Sequence, residues 1–69
     1  MSLVFTYREK TFNYHQTVIA QLQDLYGIDV FEEVKAAIDK MIADGVVFSR
    51  VSFSVEQAQG KMITKVIPQ

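Results

Sequence analysis

The hydrophobic spacing of this chain passes from a period of two to a period of 3.6 and back, and its three glycines fall at segment boundaries. Leu3-Val4-Phe5-Thr6-Tyr7-Arg8 alternates, with Leu3, Phe5 and Tyr7 on one side and Val4, Thr6 and Arg8 on the other. Alternation among β-forming residues predicts a strand with one buried face. Asn13 then stands as a helix N-cap, with Gln16 completing a capping box. From Tyr14 onward, Tyr14, Val18, Leu22 and Leu25, flanked by Ile19 and Tyr26, share one face of an amphipathic helix. Gly27 supplies its left-handed stop.

Asp29 caps a second helix, with Glu32 and Glu33 placed against the positive end of the helix dipole. Val30, Val34, Ala37, Ile38, Met41 and Ile42 form its apolar stripe, while Lys35–Asp39 and Lys40–Asp44 are i,i+4 pairs on its polar side. Asp44-Gly45 ends it. Period two returns from Val46 to Val55, with Val47, Ser49, Val51, Phe53 and Val55 on one face and Phe48, Arg50, Ser52 and Ser54 on the other. Gln57–Gly60 is expected as a four-residue hairpin loop, with positive φ at Gly60. The last strand, Lys61–Ile67, then sets Glu56 opposite Lys61, Val55 opposite Met62, Phe53 opposite Thr64 and Val51 opposite Val66.

The expected fold is therefore α+β: a three-stranded antiparallel sheet with two helices on one face, in the order β-α-α-β-β, one domain over residues 1–69. Its core should be Phe5, Val18, Leu22, Leu25, Val34, Ile38, Met41, Val51, Phe53 and Val66. A 69-residue chain buries only roughly 60% of its unfolded surface, so domains of this size usually add disulfides, a metal or a partner subunit. Cysteine is absent and His15 is the only histidine, which leaves disulfides out and makes a zinc site of the usual kind unworkable. An apolar share of 49% points instead to a second copy, and a homodimer is expected. No apolar run approaches the ~20 residues that span a bilayer, and a cytoplasmic protein is expected.

No arrangement of residues calls for catalysis. His15 has Val18 and Ile19 as helical neighbours and no orienting partner for base chemistry. Phosphate-loop and nucleophile-elbow spacings are missing. Asp29, Glu32 and Glu33 are accounted for by capping, and the alternating oxygen donors of a calcium loop are not there. The expectation is a non-enzymatic protein with no metal, cofactor or small-molecule substrate.

Charge is unevenly shared. Met1–Phe12 and Val46–Gln69 hold Arg8, Lys10, Arg50, Lys61 and Lys65 against Glu9 and Glu56; Tyr14–Gly45 holds Asp24, Asp29, Glu32, Glu33, Asp39 and Asp44 against Lys35 and Lys40. An acidic helical side and a mildly basic sheet side follow, and a face of one sign steers partners of the other. The candidate partner-binding residues are Phe48, Arg50, Lys61, Ile63, Lys65 and Ile67, all assigned to the sheet face away from the helices. Cations around apolar residues suit either a protein contact or, with Phe48 stacking on bases, a nucleic acid. A single aromatic favours protein.

Val34–Arg50, a helix ending in a charged residue and glycine and followed by a strand, resembles the third helix and first wing strand of winged-helix DNA-binding domains. Lys61–Ile67 would be the second wing strand, and the alternative fold is a degenerate winged-helix-like domain. The likeness spans about half the chain. Gly27 to Asp29 leaves no room for that family's middle helix, and the acids of Asp29-Val30-Phe31-Glu32-Glu33 repel phosphates. No DNA-contacting residue is carried across. The expected function is a homodimeric protein-interaction module, an accessory or regulatory factor; the alternative is a nucleic-acid-binding regulator, and a more distant one a non-catalytic enzyme subunit.

Overall fold

The computed structural model describes residues 2–69. Its elements are β1 (Ser2–Tyr7), β2 (Lys10–His15), α1 (Gln16–Tyr26), α2 (Val30–Ala43), β3 (Arg50–Ala58) and β4 (Lys61–Pro68). They form an α+β fold with a four-stranded mixed sheet in the order β1-β2-β3-β4. The expected three antiparallel strands are thus corrected to four, and the winged-helix alternative gives way to two helices over a mixed sheet. The added strand is β2. It pairs antiparallel with β1, setting Phe5 opposite Phe12 and Leu3 opposite Tyr14. Its C-terminal end contains Asn13 and Tyr14, the expected cap and first turn of α1. That helix begins instead at Gln16, with His15 as its N-cap and no side-chain capping bond.

The order β-α-α-β-β becomes β-β-α-α-β-β, and the new strand changes the direction of the central pairing. β2 and β3 run parallel, with Thr11 opposite Arg50 and Phe12 opposite Val51. Parallel neighbours need a long crossover, and α1 and α2 supply it. Gly27 closes α1 at φ +67°, its N–H donating to the Gln23 carbonyl at 2.8 Å. Asp29 caps α2 as expected, accepting from the Glu32 backbone N–H at 3.2 Å.

Aromatic packing identifies the covered face of the sheet. Phe31 of α2 lies 5.1 Å from both Phe5 and Tyr14 and 6.5 Å from Phe12, ring centre to ring centre. Val30, Val34 and Ile38 are the most completely buried side chains, each contributing roughly 1.5–3 kcal/mol by leaving water. Phe12, Ile19, Ile28, Phe48 and Val51 complete the buried core. Of the expected core, Val34, Ile38 and Val51 are buried, and Phe5, Leu22, Met41, Phe53 and Val66 are partly buried against it. Val18 and Leu25 are corrected: both are exposed, Leu25 at 73%. Ile19 rather than Val18 is the residue of α1 buried in the core, while Leu22 of the expected stripe stays partly buried against it.

Two further corrections concern β3 and β4. The strand begins at Arg50, not Val46, so the alternation expected for Val46–Ser49 does not apply. Val47 is 97% exposed and Phe48 is 6% exposed, the reverse of their expected faces. Phe48 is held inside by Lys10, whose ammonium sits 4.6 Å from the ring centre and donates to the Phe48 carbonyl at 2.6 Å. The β3–β4 loop is two residues long, with Ala58 opposite Lys61, Phe53 opposite Val66 and Val55 opposite Thr64. The register is thus two residues from the expected one. Because the shift is even, every side chain keeps its face.

Candidate functional site

Two surfaces of the sheet bear on function. The first is the outer face. Strand alternation places Val4 and Thr6 of β1, Thr11 and Asn13 of β2, Arg50, Ser52, Ser54 and Glu56 of β3, and Lys61, Ile63, Lys65 and Ile67 of β4 opposite to the helix-covered set. The register sets Ile67 opposite Ser52, Lys65 opposite Ser54 and Ile63 opposite Glu56. Five of the six candidate residues, Arg50, Lys61, Ile63, Lys65 and Ile67, therefore do share this face. Phe48 does not; it belongs to the core, and the outer face carries no Phe or Tyr among the described residues.

The charges on that face are partly spent within it. Lys65 reaches Glu56 at 3.1 Å, which leaves Arg50 and Lys61 as the cations of this face with no ion pair among the described residues. Arg8, expected beside Val4 and Thr6, stands in the β1–β2 turn and pairs with Asp39 of α2 at 2.9 Å. The Tyr7 hydroxyl donates to the same carboxylate at 2.9 Å. The Arg8 and Tyr7 hydrogen bonds hold the Asp39 carboxyl below the usual range, and the Asp39 carboxylate pushes the Tyr7 phenol up. Asp39 is thereby diverted from Lys35, which pairs with Glu32 at 2.7 Å and is pushed up by it. Lys40–Asp44 forms as expected, at 3.3 Å.

The outer edge of β4 belongs to this first surface. Arg50 and Gln69 exchange backbone bonds of 3.2 and 2.8 Å, so even-numbered residues of β3 bond to odd-numbered residues of β4. The backbone groups of Met62, Thr64 and Val66 therefore point away from β3, along the rim of the sheet. Ile63 is 42% and Ile67 46% exposed beside this rim. On the helix side of the same rim, Ala36 and Ala37 of α2 leave a shallow groove of about 370 Å³ over Thr64 and Val66.

The second surface was not legible in the charge pattern. Pairing between β2 and β3 stops at Phe12–Val51 although both strands continue. Beyond that point lies a cleft of about 320 Å³. Phe12 and Tyr14 line it from β2, Val18 and Leu22 from α1, and Phe53 and Val55 from β3; His15, Asn13, Ser52 and Ser54 stand at its polar margin. Lys10-Thr11-Phe12-Asn13-Tyr14 does alternate, and that signal points to β2. It competes with the capping signal of Asn13 and with the helical spacing of Tyr14 and Val18.

Among the described residues no cluster of three metal-ligating side chains occurs, and no helix is long and apolar enough to cross a membrane. Comparison with family models, with curated proteins and with solved structures gives no match to this chain.

Proposed function

We propose that the protein is a small, non-enzymatic interaction module that acts as a homodimer, an accessory or regulatory factor for a larger partner. The observation that supports this most is the β4 rim: an eight-residue edge strand whose free backbone groups are bordered by half-exposed Ile63 and Ile67. Edge strands are normally guarded by charge. Here Lys65 is drawn back onto β3 by Glu56, and Lys61 sits at the turn. A second copy pairing antiparallel along β4 would make a twofold, self-complementary contact and bury both isoleucines. Arg50 and Lys61 then lie at its border, where charge acts chiefly on association rate.

The alternative, nucleic-acid binding by the outer face, loses its stacking residue with Phe48 in the core and one cation to the Glu56 pair. Light scattering separates the two. Wild type should give twice the 7.9 kDa chain mass at micromolar concentration, Ile63→Lys with Ile67→Lys should give the chain mass, and neither should retain oligonucleotides at physiological salt. A doubly substituted protein that stays dimeric defeats the β4 contact. Oligonucleotide binding lost on replacing Arg50, with a log–log salt slope reduced by roughly 0.7–0.9, would establish the alternative.

A further inference from the structure

Besides the outer edges of β1 and β4, the register of the sheet leaves a free edge inside the fold. Even-numbered residues of β3 bond to β4, as the Arg50–Gln69 exchange fixes. The N–H and C=O groups of Val51, Phe53, Val55 and Gln57 therefore point the other way, toward β2. Val51 meets β2, but Phe53, Val55 and Gln57 find no strand there. Phe53 and Val55 line the cleft instead, and Gln57 carries the same free edge of β3 beyond it. Backbone groups of this kind are strong obligatory hydrogen bonders, and their spacing repeats at two residues.

We propose that this cleft is a docking site for an extended segment of a partner protein, added to the sheet beside β3. This rests on the interaction-module reading and names a second contact distinct from the β4 rim. Three features specify the occupant. Donors and acceptors alternating at strand spacing over Phe53–Gln57 match another extended backbone, as in strand-addition recognition. The run is five residues, or roughly 13 Å at about 3.3 Å per residue, so the segment pairs over four or five residues. Among the described residues the lining holds no Lys, Arg, Asp or Glu, so a charge entering it would lose hydration with nothing opposite. Phe12, Tyr14, Val18, Leu22, Phe53 and Val55 instead receive apolar side chains at alternate positions of the segment. A second copy fits poorly: β3 of another molecule would bring its own β4 against α1, and the cleft closes at Phe12–Val51. A single strand has no such companion.

Amide exchange of the full chain tests the proposal, using a capped hexapeptide of alternating valine and threonine as the probe. In the free protein the amides of Phe53, Val55 and Gln57 should exchange openly while those of Ser54 and Glu56, bonded to β4, are protected. Saturating peptide should slow the three open amides by about tenfold or more, and N-methylation of the peptide's alternate amides should abolish the effect. Val18→Asp, at an exposed cleft wall, should do the same in a protein that keeps its melting temperature. Unchanged exchange at millimolar peptide overturns the proposal. Protection of the three amides in the free protein that grows with its concentration also overturns it, by showing a second copy in the cleft. Light scattering tells this failure from failure of the dimer: a dimer with an unresponsive cleft refutes only the cleft, and a monomer with a responsive cleft refutes only the β4 contact.

Discussion

The two hairpins of the sheet make the same turn by different means. Arg8-Glu9 joins β1 to β2 with φ values of +52° and +68°; Gln59-Gly60 joins β3 to β4 with +54° and +74°. Both are two-residue loops with both residues in the left-handed region, the turn that suits the twist of paired strands. The C-terminal turn uses glycine, which takes that conformation without strain. The N-terminal turn has no glycine, and its cost is offset from outside: Arg8 and Tyr7 are bound to Asp39, thirty-one and thirty-two positions along the chain. One turn is built locally and the other is imposed by α2. The same contrast runs through the packing, since Phe12 of the first hairpin is buried while Phe53 of the second is only partly covered, beside the cleft.

The largest expected effect breaks the packing side of this contrast. Phe12→Ala should cost about 3–5 kcal/mol, most of the roughly 3–10 kcal/mol expected for a domain of this length. Phe53→Ala should cost roughly half as much. Urea unfolding of both variants decides it, and equal losses would show that the two hairpins are anchored alike. Next come the turns. Gly60→Ala should destabilise by about 1 kcal/mol through backbone strain alone, because an added Cβ there meets nothing within 4 Å. Glu9→Gly should stabilise, by up to about 1 kcal/mol. A destabilised Glu9→Gly protein would show that the first turn is not strained.

The smallest expected effect concerns the contact of Asp39 with Tyr7 and Arg8. Asp39 titrates below the usual carboxylate range in the folded protein. Its contribution is therefore present above the unfolded pKa and is lost as pH falls through the depressed folded value. Tyr7, pushed up, contributes fully below the ordinary phenol value and loses its part as pH rises through the raised one. All three groups are solvated, so the net gain is small. Acid titration followed by NMR should show the Tyr7 ring signals shifting as Asp39 protonates, and Asp39→Asn should remove that inflection while leaving neutral-pH spectra of β4 unchanged.

This contrast also explains what the amino-acid sequence revealed. Gly27, Asp29 with Glu32, Gly45 and Gly60 are local devices, and the segments they bound, α2 and the β3–β4 hairpin, are visible without tertiary information. Arg8-Glu9 carries no turn chemistry, so β1–β2 looked like one strand followed by a cap. Missing β2 hid the parallel pairing, and with it both the cleft and the inward swing of Phe48. Of the candidate site, Arg50, Lys61, Ile63, Lys65 and Ile67 were legible because an even register shift preserves faces. Phe48 was not, because the residues between Gly45 and Arg50 follow the path from α2 to the sheet rather than strand alternation.

Amide exchange of the unliganded protein at two concentrations, micromolar and millimolar, decides whether the β4 rim is where a second copy binds. Met62, Thr64 and Val66, whose amides point away from β3, should gain protection with concentration while Phe53, Val55 and Gln57 stay open at both. Met62, Thr64 and Val66 exchanging freely at both concentrations, with the chain mass in solution, would contradict it.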